Sequence, residues 1–254
     1  MEWNPDKYNE FKSFRYKPFF DLVSHISDKP GMKVVDLGCG TGELTKMLAD
    51  RLTTPTVVGV DSSEEMLEKS KEFEKSNIRF EQKTIQEQIN TSDKCDLVFA
   101  NASIQWIENH QRLIPQIIST LHSGGQLAVQ VPAQNENLLN QILMELVQEE
   151  PYRSSLCEWK RVSPVLTLDD YAQILFQNGG KEITVYQKVY PFIADSNNDL
   201  FELISGSTLI PYSTRLEGEI KELFIQELKN RIKSKFLNPP VFYAFKRIIL
   251  YAQF

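Results

Sequence analysis

Short β-branched runs separated by amphipathic segments recur along the first half of the chain, the alternation expected of a parallel sheet covered by helices. Runs at 33–37, 56–61, 78–82, 95–100 and 126–131 predict five strands. Segments 43–52, about 63–73 and about 113–121 carry helical apolar spacing, and the turn Ser123-Gly124-Gly125 leads into the fifth strand. The doubly wound α/β pattern is complete by Pro132. Beyond it the alternation changes. A helix is expected at about 137–149, and another after Thr167, where Thr167 and Asp170 have the spacing of a capping box. Residues 182–190 then read as a strand. The stretch 194–236 is mainly helical in pattern, with Leu216, Ile220, Leu223, Leu228 and Ile232 near one face. A last strand is expected at 242–251.

Composition narrows this picture. The 254 residues, 41% hydrophobic, suffice for one substantial α/β core and a smaller appendage. No run of about 18 apolar residues marks a membrane span, and the start of the chain lacks the basic and apolar regions of an export signal. The expectation is a cytoplasmic protein with no membrane partner. Three widely spaced cysteines, Cys39, Cys95 and Cys157, form no C-x-x-C pair, so neither a disulfide framework nor a zinc site is indicated, and no metal is expected. A formal charge of -6 argues against a nucleic-acid partner, which calls for a basic excess. The acidity is uneven, since Arg215 onward holds eight Lys or Arg against four Glu.

The chemistry starts at the end of the first predicted strand, at Asp36-Leu37-Gly38-Cys39-Gly40-Thr41-Gly42. The dinucleotide fingerprint is G-x-G-x-x-G, whose third glycine permits close helix packing and whose helix end faces a pyrophosphate. Here the spacing is G-x-G-x-G and Glu43 stands in the place of that third glycine. An acid there is a poor neighbour for a diphosphate. Asp36 adds negative charge at the mouth of the turn, which suits a ligand carrying ammonium and sulfonium centres. Asp61, at the end of the second strand, is placed to accept hydrogen bonds from both hydroxyls of a ribose. Adenosine without phosphates is the inference, and S-adenosylmethionine is the common cofactor that combines these groups.

More specific stretches surround the glycines: WNPDKYNEF at 3–11, GVDSSEEML at 59–67, DLVFANASIQW at 96–106 followed by His110, and QVP at 130–132. On these the chain resembles the class I S-adenosylmethionine-dependent methyltransferases and, more narrowly, the trans-aconitate methyltransferase family, almost from end to end. The resemblance implies a seven-stranded sheet whose last strand runs antiparallel, with helices inserted before it as a cap. On that division, 1–193 is the cofactor-binding core with a lid at about 1–20, 194–240 the cap over the substrate site, and 241–254 the returning strand. Family roles carried onto this chain put Gly38, Gly40 and Gly42 under the methionine moiety, Asp61 on the ribose, and Ser62 and Met66 beside the adenine, with Thr84 and Ile85 near it. Asn101 and Ala102 then lie beside the sulfonium, with Gln105 and Trp106 just beyond. Trp3, Asn4 and Tyr8 resemble a lid folding over the cofactor. Tyr8 and His110 are the candidate catalytic groups.

Two departures from the family pattern stand out. Thr84, in KTIQ at 83–86, replaces an acid that binds the adenine amino group, and its hydroxyl can still accept a hydrogen bond. In GSTLIPY at 206–212, Ile210 replaces an arginine. Methyl transfer from a sulfonium is an in-line displacement in which the enzyme mainly aligns and desolvates two partners. A carboxylate acceptor is ionised at neutral pH and needs no base, but it needs cations or donors to hold it. Arg15, Lys17 and Arg215 are candidates, with Tyr212 and His110 as donors. A hydroxyl or amine acceptor would instead make His110 the base. The expectation is methyl transfer to a small anionic acceptor, a trans-aconitate-like carboxylate, with O-methylation of a hydroxyl as the second reading and a non-catalytic cofactor-binding module as a third. Asn238-Pro239-Pro240-Val241 resembles the N-P-P-aromatic motif of adenine-methylating DNA enzymes, but that motif belongs at the end of the fourth strand, where Asn101-Ala102 stands.

Overall fold

The computed structural model describes residues 16–254. Its core is one seven-stranded mixed sheet, built from β1 (Lys33–Leu37), β2 (Thr56–Asp61), β3 (Ile78–Gln82), β4 (Cys95–Asn101), β5 (Leu121–Pro132), β6 (Lys181–Ala194) and β7 (Val241–Gln253). The spatial order is β3-β2-β1-β4-β5-β7-β6. The β1–β2, β2–β3, β1–β4 and β4–β5 pairs are parallel, and β7 runs antiparallel to β5. The order reverses between β1 and β4. In an open α/β sheet such a reversal opens a crevice at the carboxyl ends of the strands, which is where ligands bind.

Helix α1 covers residues 16–23, and α2 (Glu43–Ala49), α3 (Glu64–Ser70), α4 (Ile85–Ile89) and α5 (His110–Ser119) follow the first strands. They are followed by α6 (Leu138–Leu146), α7 (Tyr152–Ser155), α8 (Leu168–Gln177), α9 (Asn197–Ser205), α10 (Ile210–Ser213) and α11 (Gly218–Lys235). The five strands expected from β-branched runs are present, β5 starting earlier and β6 running longer than the pattern indicates. Helices α1, α4 and α7 were not anticipated. The last two are too short for an apolar periodicity to show, and α4 is started by the Thr84–Glu87 capping box. At Thr167 half of the expected box forms in the usual sense: its hydroxyl accepts from the Asp170 N–H.

The chain divides into two compact units. The first comprises 1–132, 164–188 and 247–254, the second 133–163 and 189–246. The segment expected as a cap, 194–240, falls inside the second unit together with 133–163. In the first unit, Phe19 and Leu22 of α1 and Leu48 of α2 pack with Val34, Leu97, Phe99, Ala128 and Ile249 on one sheet face. Each fully buried Val, Leu, Ile or Phe among them contributes about 1.5–3 kcal/mol. Phe19 meets Phe99 edge to face at 5.7 Å. The second unit has its own apolar centre, where Phe224 of α11 packs edge-on against Tyr152 at 5.1 Å. Among the described residues no helix is long and apolar enough to cross a membrane, and no His, Cys, Asp and Glu cluster forms a metal site.

Candidate active site

The glycine turn leaves β1 at its carboxyl end, at the reversal of the sheet. Gly38, Gly40 and Gly42 all have positive φ, at 76°, 56° and 76°. At Gly38 the turn passes so close to the next strand that an added Cβ would lie 2.3 Å from Ser103 Cβ. Ser103 itself is tied down, its hydroxyl donating to the Leu37 carbonyl. Around Gly40, by contrast, nothing among the described residues lies within 4 Å of where a Cβ would be. Gly38 is therefore bare so that the loop can press on protein, and Gly40 leaves open space beside the backbone.

Two carboxylates frame this turn. Asp61 accepts from the Gly40 N–H and the Ser63 N–H, each at 2.9 Å, one through each oxygen. A carboxylate offers about four acceptor sites, so both oxygens keep capacity for a ligand's hydroxyls. Asp36 is 3% exposed and accepts from the Thr45 hydroxyl at 2.6 Å. Burial, opposed by that hydrogen bond and reinforced by the charge of Asp61, pushes the Asp36 carboxyl up to about 7. A cationic group bound beside it relieves that penalty. Cys39, between the glycines, is raised far above the ordinary thiol range, first by burial and then by Asp36, and is no nucleophile.

The far side of the crevice is formed by the end of β4. Ala102 takes φ 57°, a left-handed turn unusual for a residue with a Cβ, and its N–H donates to the Gln130 carbonyl at 2.8 Å. The Gln105 side chain donates to the Ala102 carbonyl at 2.7 Å. Asn101 keeps a buried side-chain oxygen without a hydrogen-bond partner among the described residues. Trp106 is 47% exposed and Met66 41%, so neither is a core residue, and Ser62 is exposed beside the cap formed by Ser63.

Other candidates are placed differently from expectation. His110 is fully buried: its Nε2 meets the Ile104 carbonyl at 3.0 Å and its Nδ1 meets the Tyr171 hydroxyl. The carbonyl can only accept, so Nε2 carries the proton and Nδ1 accepts from Tyr171. Burial holds the ring below its ordinary value. With both nitrogens engaged, His110 has none to offer an acceptor's proton, and the place expected for a base is a strut. Thr84 is exposed and its hydroxyl is committed to capping α4, donating to the Glu87 carboxylate at 2.8 Å, while Ile85 is buried behind it. Lys17 is exposed on α1. Trp3, Asn4, Tyr8 and Arg15 lie outside the described residues.

Tyr212 and Arg215 belong to the second unit. Tyr212 is buried, accepts from the Arg161 N–H at 3.2 Å and lines a cavity of about 250 Å³ with Asn140, Met144, Lys160, Arg161 and Ser163. Arg215 instead lies over the Trp159 ring at 3.7 Å and donates to the Pro211 carbonyl. Arg161 was not anticipated, since an isolated arginine in an irregular stretch carries no pattern.

A crevice at the switch point, with a buried acid at the mouth of the glycine turn, a second acid ending β2 and bare backbone between them, is the arrangement of an S-adenosylmethionine-binding α/β domain. The residues fit that group: the open space at Gly40, the spare acceptors of Asp61, the buried Asp36 and the orphaned Asn101 oxygen are what its parts require. A methyltransferase-domain family model matches residues 28–180, and the chain belongs to that family. It is 39% identical to a trans-aconitate 2-methyltransferase of Deinococcus radiodurans, over 99% of this chain and 98% of that one. It is 29% identical to the enzyme of the same name from Variovorax paradoxus, over 100% and 98% of the two chains. Its fold matches the YcgJ protein of Bacillus subtilis with a TM-score of 0.60 at 16% identity, over 94% of this chain and 98% of that one. The protein is an S-adenosylmethionine-dependent methyltransferase.

Proposed function

We propose that the methyl acceptor is a small-molecule carboxylate and the product its methyl ester. One observation carries this reading. None of the three histidines offers a base at the carboxyl edge of the sheet. His110 has both nitrogens engaged, His25 bonds Tyr186, and His122 pairs with Asp96 at the amino ends of β4 and β5. A hydroxyl acceptor would have to lose its proton during transfer, whereas a carboxyl group with a pKa of about 4 has lost it beforehand. The full-length likeness to enzymes named for trans-aconitate supports the same class.

S-adenosylmethionine, when bound, supplies a methyl group on a positively charged sulfur. The protein's residues do the rest by placement. Asp61 would hold the ribose through its free acceptor sites, Asp36 would neutralise the ligand's ammonium, and the Gly38–Gly42 turn would let the ligand approach bare backbone. The Asn101 oxygen, unpaired among the described residues, would take an electropositive part of the ligand. Alignment and exclusion of water then account for the acceleration. The free thiols of Cys39, Cys95 and Cys157 suit a reducing, cytoplasmic setting.

The test is incubation of the purified protein with labelled S-adenosylmethionine and a panel of trans-aconitate, other di- and tricarboxylates, fatty acids and phenols. Methyl transfer to an acid, with a product labile to alkali as an ester is, supports the reading. Transfer to phenols alone would overturn it.

A further inference from the structure

We infer that Gln130, held in place by Arg247, binds the acceptor's carboxylate through its side-chain amide N–H groups. The inference deepens the proposed function and rests on it. Gln130 is 1% exposed and stands near the carboxyl end of β5, in register with Asn101 at the end of β4. Its side-chain oxygen accepts from Arg247 Nη1 at 3.2 Å. That contact fixes the orientation of the amide, because the flipped form would set an NH2 group against a guanidinium that can only donate. The Gln130 nitrogen therefore faces the other way, and it has no hydrogen-bond partner among the described residues.

A buried donor without a partner at the ligand edge of an α/β sheet is a request for an acceptor. Its neighbour makes the opposite request, since the orphaned atom of Asn101 is an oxygen and requires something electropositive. The two side chains sit on adjacent strands, roughly 4.8 Å apart, yet do not bond to each other. Two orphans of opposite sense, side by side, match two ligands of opposite charge meeting end to end: a sulfonium against Asn101 and a carboxylate against Gln130. A neutral amide also suits the chemistry. It holds a carboxylate by charge-assisted hydrogen bonds without the full positive charge that would blunt the attacking oxygen. If Gln130 served only to hold Arg247, a glutamate would do so better through an ion pair, and the donor would not be needed.

Two variants test this. Gln130→Glu keeps an acceptor for Arg247 and replaces the donors with a negative oxygen, and Gln130→Leu removes both functions. Each is titrated calorimetrically with S-adenosylhomocysteine, then with trans-aconitate or the best acid of the panel on the S-adenosylhomocysteine-loaded protein, alongside initial-rate kinetics. The expected result is S-adenosylhomocysteine affinity within threefold of the unaltered protein, with the acid's Kd and KM raised at least tenfold and most in Gln130→Glu. Acid affinity within twofold of the unaltered protein in Gln130→Glu would overturn the inference while leaving the carboxylate reading intact. So would a parallel loss of both affinities, which would assign Gln130 to the cofactor. An unaltered protein that neither binds nor methylates any acid would sink the carboxylate reading itself, and this inference with it.

Discussion

The two banks of the crevice are built on different terms. At the ends of β1 and β2 the polar groups are anchored: Asp61 holds two backbone N–H groups, Asp36 holds a hydroxyl, and the glycine turn is wedged against Ser103. At the ends of β4 and β5, Asn101 and Gln130 each carry a buried side-chain atom that nothing among the described residues satisfies. A bank completed before binding suits a ligand of constant shape. A bank left with open valences takes its specificity from the molecule that fills them, because an acceptor unable to do so leaves the cost in place.

The largest effect should come from the one strained group on the anchored bank. Asp36 titrates at about 7 when folded against about 3.9 when unfolded. Its folded value is raised, so folding takes up a proton between those limits, and the cofactor-free protein loses stability as pH climbs from about 4 to 7. The shift corresponds to something on the order of 4 kcal/mol. Asp36→Asn should remove that loss and be the more stable protein at pH 8 in urea titrations. The ligand's ammonium selects the ionised form, so S-adenosylhomocysteine should bind more tightly as pH rises from 6 to 8, and in Asp36→Asn that dependence should vanish. A variant no more stable at pH 8, or one with an unchanged pH profile, would break the account of Asp36.

Next in size are the glycines, where neighbouring positions should respond in opposite ways. Gly38→Ala combines a left-handed φ with a Cβ driven onto Ser103 and should cost about 3 kcal/mol of stability. Gly40→Ala meets no atom of the described residues, so it should cost about 1 kcal/mol of stability while weakening S-adenosylhomocysteine binding by more than tenfold. Equal effects on stability would mean that the space beside Gly40 is not reserved for a ligand. Just below Gly38→Ala in size is Asp61→Ala, which removes two loop anchors and, on the proposed placement, the ribose acceptors. Charge-assisted hydrogen bonds of about 1.5–3 kcal/mol convert to roughly a hundredfold loss in S-adenosylhomocysteine affinity by calorimetry.

The anchored bank was legible in the chain because its constraints are local. Three glycines in five positions, an acid before them and another ending the next strand are set by backbone geometry within about 25 residues. The open bank was legible only in part. Asn101 could be placed by resemblance, but Gln130 acquires its meaning from Arg247, more than a hundred residues later on an antiparallel strand. Likewise Phe80, whose ring would lie 2.6 Å from a Cβ on Gly42, shapes the turn from β3 without any motif to announce it. His110 shows the opposite failure. A histidine soon after the β4 end invites a catalytic role, and only the tertiary fold reveals Tyr171 beneath it.

That pair offers the smallest predicted effect and the sharpest check on the absence of a histidine base. His110 supports the turn after β4 through the Ile104 carbonyl, and Tyr171, 1% exposed, fixes its tautomer from α8. Tyr171→Phe removes only the hydroxyl and leaves His110 Nδ1 a buried acceptor without a partner, which should cost about 1–2 kcal/mol in urea titrations. If His110 is a strut, turnover with the best acid should stay within twofold at 25 °C, because the carboxylate needs no proton removed and the ring never contacts it. If His110 were the base, losing the partner of its accepting nitrogen would change both the rate and the pH at which it falls off. A turnover that drops tenfold in Tyr171→Phe, with an altered acid limb of the pH profile, would return His110 to the chemistry and take the main support from the carboxylate reading.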